Sequence, residues 1–218
     1  MIKSAIAWFS RAFGNQAGGG KVFHASRKCP KCGSKLWAEA GAAEPVWVCP
    51  NPDCPAEVRA GIAHWCSPGA MDIAGGEKLA AQLFESGLVR NVAELYRLKA
   101  RELTRIEGLD AAAAQKFLEA IAASKKRDLW RVLYGLRISG VSADAAQALG
   151  RQFPTLLHVL GASAGQLMAA EKVSEAVAQS IIYWTGDRQN RDLIKRLDKL
   201  GVNLKSELYR TAATPGAA

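Results

Sequence analysis

CPKCGSKLW (residues 29–37) and VWVCPNPDCPA (residues 46–56) frame two close cysteine pairs, Cys29/Cys32 and Cys49/Cys54, with sixteen residues between the pairs. Two thiolates on a tight turn grip one metal ion from one side. A second pair, returning from a short hairpin, closes a tetrahedron of sulfurs, the arrangement a structural zinc ion prefers. Pro30 and Gly33 shape the first knuckle, and Pro50, Pro52 and Pro55 stiffen the second. Lys28, Lys31 and Lys35 crowd the first pair and are expected to lower its thiol pKa and offset the charge of a four-thiolate site. Disulfides or scattered free thiols are the plainer alternatives, but two pairs at metal-ligand spacing favour Zn2+ held by Cys29, Cys32, Cys49 and Cys54. Four cysteines leave no open position for a catalytic water, so the expected role is structural. The fifth cysteine, Cys66, between Trp65 and Ser67, reads as a small buried core residue.

Beyond this knot the sequence is helical in pattern. Apart from a hairpin pairing Lys35–Ala38 with Val46–Val48, the periodicity predicts helices over 77–86, 92–98, 100–105, 111–124, 129–136, 143–153, 155–161, 164–169, 175–185 and 190–200. An apolar residue, a short turn and an Ala-rich helix recur at Ile73-Ala74-Gly75-Gly76-Glu77, Ile106-Glu107-Gly108-Leu109-Asp110, Ile138-Ser139-Gly140-Val141-Ser142 and Ala170-Glu171-Lys172-Val173-Ser174. The repeat of roughly 33 residues would suit a helical solenoid. Turns of glycine, apolar and small residues favour helix-hairpin-helix units instead.

The 218 residues give ample core for one medium domain or two small ones. With 49% hydrophobic and 22% charged residues the composition is that of a soluble globular protein, and no apolar run approaches the ~20 residues of a membrane span. A formal net charge of +9 favours a polyanionic partner. Five cysteines, four of them metal-spaced, fit a reducing cytoplasm. Residues 1–27 read as a basic extension with a short amphipathic helix carrying Ile2, Ile6, Phe9 and Phe13 on one face. Such a helix can lie on a membrane, on a partner or on the protein's own body. Docking on its own body, or fraying, is favoured, and membrane contact of residues 1–14 is not expected.

Several of these segments together resemble the central region of bacterial NAD-dependent DNA ligases. They are Cys29-x2-Cys32-Gly33-Ser34, Cys49-Pro50-Asn51, Cys54-Pro55-Ala56, His64-Trp65-Cys66-Ser67 and Ala70-Met71-Asp72-Ile73. Gln179-Ser180-Ile181 and Asn190-Arg191-x-Leu193-Ile194-x-Arg196-Leu197 through Gly201-Val202-Asn203 are similar to its end. The resemblance runs in order from about Lys21 to Asn203. It implies a mainly α fold: a small four-cysteine zinc finger followed by a tandem helix-hairpin-helix domain of four motifs, the part of such ligases that clasps the DNA backbone. The expected organisation is a basic extension over 1–27, the finger over 28–58, the tandem domain over 59–205 and a disordered tail over 206–218. That family places an adenylation domain with a KxDG lysine and an oligonucleotide-binding barrel ahead of this region, and a BRCT domain after it. No lysine here precedes Asp-Gly at that spacing, and under thirty residues precede Cys29. The expectation is therefore a non-catalytic, sequence-independent binder of duplex or nicked DNA, serving repair or replication in the cytoplasm. The alternatives are a protein-interaction scaffold that has lost DNA binding, or the DNA-binding part of a split ligase acting with a separate catalytic chain; the candidate protein partner is a separate ligase or repair protein.

Helix-hairpin-helix turns hold phosphates through backbone amides at a helix start, where glycines permit close approach. The family's turn is Gly-apolar-Gly. Here the second glycine is replaced by Asp110, Ser142 and Ser174, and the first by Lys172 in the fourth motif; the first motif, Gly75-Gly76, reads as one residue short. Asp and Ser are good N-caps, so their side-chain oxygens are expected to compete with a phosphate for the same amides. By this ranking the third motif (Gly140, Val141, Ser142, with Arg137) is the best phosphate site, and the first (Gly75, Gly76, Lys78) follows. The second, with Gly108 beside Glu107 and Asp110, and the fourth are structural relics. Lys125, Lys126, Arg127, Arg131, Arg151, Arg188 and Arg191 read singly as a solvated face. The six tryptophans read as packing rather than stacking platforms.

Overall fold

A computed structural model of the chain describes residues 28–39, 46–49, 51 and 53–209; the predicted amino-terminal helix, Pro50, Pro52 and residues 210–218 lie outside them. The molecule divides into two compact units, Met1–Glu57 and Val58–Ala218.

In the first unit, β1 (Trp37–Glu39) pairs antiparallel with β2 (Val46–Val48), Ala38 facing Trp47. This is the predicted hairpin, begun two residues later because Lys35 pairs instead with Lys28 across the first knuckle. The second unit is helical among its described residues. Its elements are α1 (Pro55–Cys66), which begins just before the division, α2 (Gly76–Glu85), α3 (Val92–Leu95), α4 (Ala100–Leu103), α5 (Ala111–Ser124) and α6 (Leu129–Gly135). They continue with α7 (Ala143–Gln152), α8 (Leu156–Gly161), α9 (Ala164–Met168), α10 (Glu175–Gly186) and α11 (Arg188–Lys199). The sequence pattern does not announce α1, whose middle is weakened by Gly61. Its signals are Pro55 at the first helical position, where a missing N–H costs nothing, and Ile62, Trp65 and Cys66 on one buried face.

Four turns join these helices into hairpins, and one hydrogen-bond pattern closes all of them. The carbonyl of the first turn residue accepts from the amide three residues on: Ile73 from Gly76, Ile106 from Leu109, Ile138 from Val141, and Ala170 from Val173, at 3.0–3.2 Å. The third residue of each turn is left-handed, with φ of 81° at Gly75, 78° at Gly108, 77° at Gly140 and 64° at Lys172. Glycine takes that conformation without strain, whereas Lys172 is held there by the turn. The first hairpin is therefore not a residue short. Gly76 stands where Leu109, Val141 and Val173 stand in the others, and it has no side chain because a Cβ there would lie 2.5 Å from the Cys66 sulfur. Its helix starts two residues earlier relative to the turn.

The repeat also has a longer period. Asn91, Lys99 and Asp110 cap the starts of α3, α4 and α5; Thr155, Ser163 and Ser174, each 64 residues on, cap α8, α9 and α10. Hairpins one and two form one pair and hairpins three and four another. Within the pairs, α2 touches the second turn through Gln82, whose side-chain amide donates to the Glu107 carbonyl, and Gly140 lies against Val177 of α10.

The core is continuous from Ile62 to Val202. Through it runs a directional polar chain. The Trp65 indole N–H donates to the Tyr96 hydroxyl at 3.1 Å, that hydroxyl donates to Ser124 Oγ at 3.1 Å, and Ser124 donates to the Ile121 carbonyl at 2.8 Å. Trp65 and Ser124 are essentially fully buried, so every member needs its partner. After α11 the chain forms a strap. The carbonyls of Lys205 and Leu204 accept from the first amides of α6 (Leu129) and α8 (Leu156), and Asn203 reaches Lys125 and Arg127. Ser206, Glu207 and Leu208, expected in a disordered tail, belong to this strap: Ser206 bonds Pro154 and Gly150, and the Glu207 amide donates to Asp128. A helix N-terminus otherwise leaves such amides without partners, which is why the chain stays ordered past residue 205.

Candidate functional site

In the first unit the four predicted ligands converge. The first knuckle is a tight loop: Gly33, at φ 75°, donates to the Cys29 carbonyl at 2.8 Å, and Cys29 donates back to Ser34 at 2.7 Å. The second knuckle is pinned by Asn51, whose side chain accepts from the Asp53 amide and whose carbonyl accepts from Cys54. The sulfurs of Cys29 and Cys54 lie 3.7 Å apart and those of Cys32 and Cys49 3.5 Å apart, and all four are within 4.8 Å of one another. A tetrahedron with metal–sulfur bonds of about 2.3 Å has edges of about 3.8 Å. The separations fit a shared ion, and they are far beyond the roughly 2.05 Å of a disulfide. All are free cysteines. The four sulfurs can hold a metal ion.

The electrostatics agree. Cys32 is brought down from 9.0 to about 6, first by the Ser34 hydroxyl, which lies 3.3 Å from its sulfur, and then by the Ser34 amide. Cys49 moves the other way, to about 12: the Asn51 amide pulls it down, but burial and the neighbouring sulfurs of Cys32, Cys29 and Cys54 outweigh that. Sulfurs this crowded do not all ionise without a cation among them. Acidification of Cys32 thus comes from Ser34 and not, as the sequence suggests, from Lys28, Lys31 and Lys35, which are exposed and screened by solvent. Cys66 takes no part: it is 1% exposed in the helical core, and burial followed by the charge of Glu77 pushes it up to about 12.

In the second unit the predicted phosphate-binding residues lie on or beside the hairpin turns, Lys78 within the first turn of α2 and Arg137 just ahead of the third hairpin turn. Gly75, Lys78, Gly108, Arg137, Gly140 and Ser142 are exposed, whereas Gly76 and Val141 are buried and their amides close the turns. Asp110, Ser142 and Ser174 are N-caps, accepting from the amides of Ala113, Ala145 and Val177 at 2.7, 3.2 and 3.4 Å. The first hairpin has no side-chain cap. Each helix start also carries an acid nearby: Glu77, Asp110, Asp144 and Glu175. Arg137 has φ 52°, and Asp72, with the same φ, is its counterpart ahead of the first turn, where it pairs with Arg127.

Of the basic side chains read as a solvated face, several tie the structure together. Arg127 is held by Asp72, and Arg131 donates to the Pro68 and Ala70 carbonyls at 2.9 and 2.7 Å while stacking on Trp130. Arg191 donates to the last carbonyls of α10, Thr185 and Gly186, and Arg188 faces Asp192. The sequence does not reveal the ties of Arg127 and Arg131, whose acceptors lie 55 to 63 residues earlier, or that of Arg191, whose acceptors are backbone carbonyls.

The family description "SAM-like Helix-hairpin-helix tandem" matches residues 76–123, from α2 through α5, and "Helix-hairpin-helix motif" matches residues 131–194, covering the second hairpin pair. A protein named DNA ligase from Desulforamulus reducens is 40% identical over 187 residues, 85% of this chain and 28% of the relative. DNA ligase of Halalkalibacterium halodurans is 40% identical over 84% of this chain and 27% of the relative, and that of Bacillus subtilis 36% identical over the same shares. The chain thus spans little more than a quarter of the length of these relatives. It carries tandem helix-hairpin-helix units, and over most of its length it is similar to one portion of bacterial DNA ligases.

Proposed function

We propose that this chain is a non-catalytic module that clasps the phosphate backbone of duplex or nicked DNA without reading sequence, with a structural Zn2+ on Cys29, Cys32, Cys49 and Cys54. The observation that carries the reading is the shared geometry of the four turns, with a left-handed third residue placing a helix start just beyond it. Backbone amides at a helix start, with the helix dipole behind them, suit a phosphate and carry no sequence information. The third hairpin is the proposed principal contact. Gly140 allows close approach, Ser142 can rotate its hydroxyl toward an anion, and Arg137 supplies charge; Val141 acts by anchoring the turn in the core. The uncapped first hairpin, with Gly75, Gly76 and Lys78, is the second contact. Gly108 shapes a turn that Glu107 and Asp110 make repulsive. Zinc is proposed over other divalent ions because four thiolates in tetrahedral array suit it, and three exposed lysines offset the remaining charge.

The similarity to one portion of DNA ligases supports a role in DNA repair or replication, in the cytoplasm. Among the described residues no helix is long and apolar enough to cross a membrane. Caps already occupying the amides of Ala113, Ala145 and Val177 favour a second reading, in which the hairpins serve as scaffold for a partner such as a separate ligase or repair protein. Fluorescence anisotropy with labelled duplexes of unrelated sequence separates the two. Backbone clasping predicts saturable binding of every duplex, with log affinity falling against log salt by about 0.9 per phosphate contacted. No binding at low salt would reject it.

A further inference from the structure

A cleft of about 200 Å³ lies where the end of α3 meets the end of α11, away from the four turns in sequence, and is lined by Ala93, Glu94, Arg97, Arg196, Lys199 and Leu200. Ala93 is 1% exposed and forms the floor with half-buried Leu200, while Arg97, Arg196 and Lys199 are exposed at the rim. The one acid, Glu94, accepts from the Arg90 amide at 2.6 Å. The cleft therefore carries two more positive than negative charges.

We infer that this cleft docks an acidic segment of a partner protein, an apolar side chain resting on Ala93 and Leu200 while flanking carboxylates meet Arg97, Arg196 and Lys199. The architecture explains why the occupant is a peptide rather than a phosphate backbone. Helix α11 presents its carboxyl end here, the Leu200 amide being bonded back to Arg196, and around the single turn of α3 the amides of Ala93, Glu94 and Arg97 are already taken by Asn91 and Glu94. Helix ends of this polarity offer carbonyls and not amides, so nothing resembling the hairpin turns is available to a phosphate. Recognition must come from side-chain cations around an apolar floor, and a phosphodiester would leave that floor unfilled. An aromatic or aliphatic residue between Asp and Glu meets both demands. Compensation of the α11 dipole accounts for some of the positive charge, but not for its convergence on one apolar hollow.

The test is titration of the full chain with a fluorescein-labelled peptide, Asp-Glu-Phe-Asp-Glu, at low salt. Saturable binding is expected, weakened about tenfold by the double change Arg196→Glu and Lys199→Glu and by replacing the peptide's Phe with Ser. Both positions are exposed, and circular dichroism verifies the fold of the variant. An unlabelled duplex at saturation should leave the peptide bound, which separates this site from the proposed DNA contacts. The inference is overturned if the peptide does not bind, if the charge-reversed variant binds it equally well, or if the duplex displaces it and loses affinity with the same variant, which would make nucleic acid the occupant.

Discussion

Replacing Tyr96 by Phe tests whether the buried polar chain holds the helical unit together. The ring is kept, so packing changes little and the loss is confined to the hydroxyl. That hydroxyl accepts from Trp65 and donates to Ser124, both at 3.1 Å, while Ser124 retains its bond to Ile121. Two hydrogen bonds worth about 1 kcal/mol each disappear. The Trp65 N–H, in a residue 0% exposed, is left without an acceptor. Orphaning a buried donor costs about 1–3 kcal/mol, and this overlaps with the bonds themselves, so the expected loss is about 2 kcal/mol. Urea unfolding followed by helical circular dichroism should show the midpoint falling by about 1 M, with the slope unchanged. A loss below about 0.5 kcal/mol would refute the reasoning, because it would mean that water or another group already serves the indole. A double-mutant cycle with Ser124→Ala should show coupling between the two positions.

Three further outcomes follow from the same geometry. Gly76→Ala should destabilise the helical unit by about 1–3 kcal/mol in urea unfolding, because its methyl group would meet the Cys66 sulfur at 2.5 Å and Cys66 Cβ at 2.6 Å. Alkaline titration should erode stability as pH rises from 9 toward 12. The Cys66 thiol stays neutral when folded, up to about 12, whereas in the unfolded chain it ionises near its ordinary 9.0, so the unfolded state loses the proton first. Cys66→Ala should flatten that decline, and an unchanged pH profile would contradict the burial argument. Removing bound metal with a chelator should leave the helical signal nearly intact, because α2 to α11 all belong to the second unit. Elemental analysis of the purified protein should find about one zinc per chain, held by thiolates.

The sequence is most readable where short-range chemistry decides the structure. The ligand spacing brings Cys29, Cys32, Cys49 and Cys54 together, and Asp110, Ser142 and Ser174 cap as their side chains dictate. Helix α5 spans Ala111–Ser124 as its periodicity indicates, and most other helices end within a few residues of expectation. What escapes is set by partners distant in the chain. Gly76 looks like a shortened motif until Cys66 is seen to leave no room for a side chain. Arg127 and Arg131 look like solvated charges because Asp72, Pro68 and Ala70 lie more than fifty residues earlier. The end of the strap, Ser206–Leu208, looks like a tail because its partners at Asp128, Gly150 and Pro154 are not sequence neighbours. Helix α1 is missed for a different reason: Pro55 serves two purposes, and a reading committed to the metal knuckle hides its place at the first helical position.

Amide chemical-shift mapping of the labelled protein with a short duplex tests the phosphate-clasp reading most directly. The account predicts that the largest shifts fall on the amides from Gly140 to Asp144, with a second set from Gly75 to Lys78, and that they fade together as salt is raised. Shifts centred elsewhere on the surface, or none at saturating duplex, would contradict it.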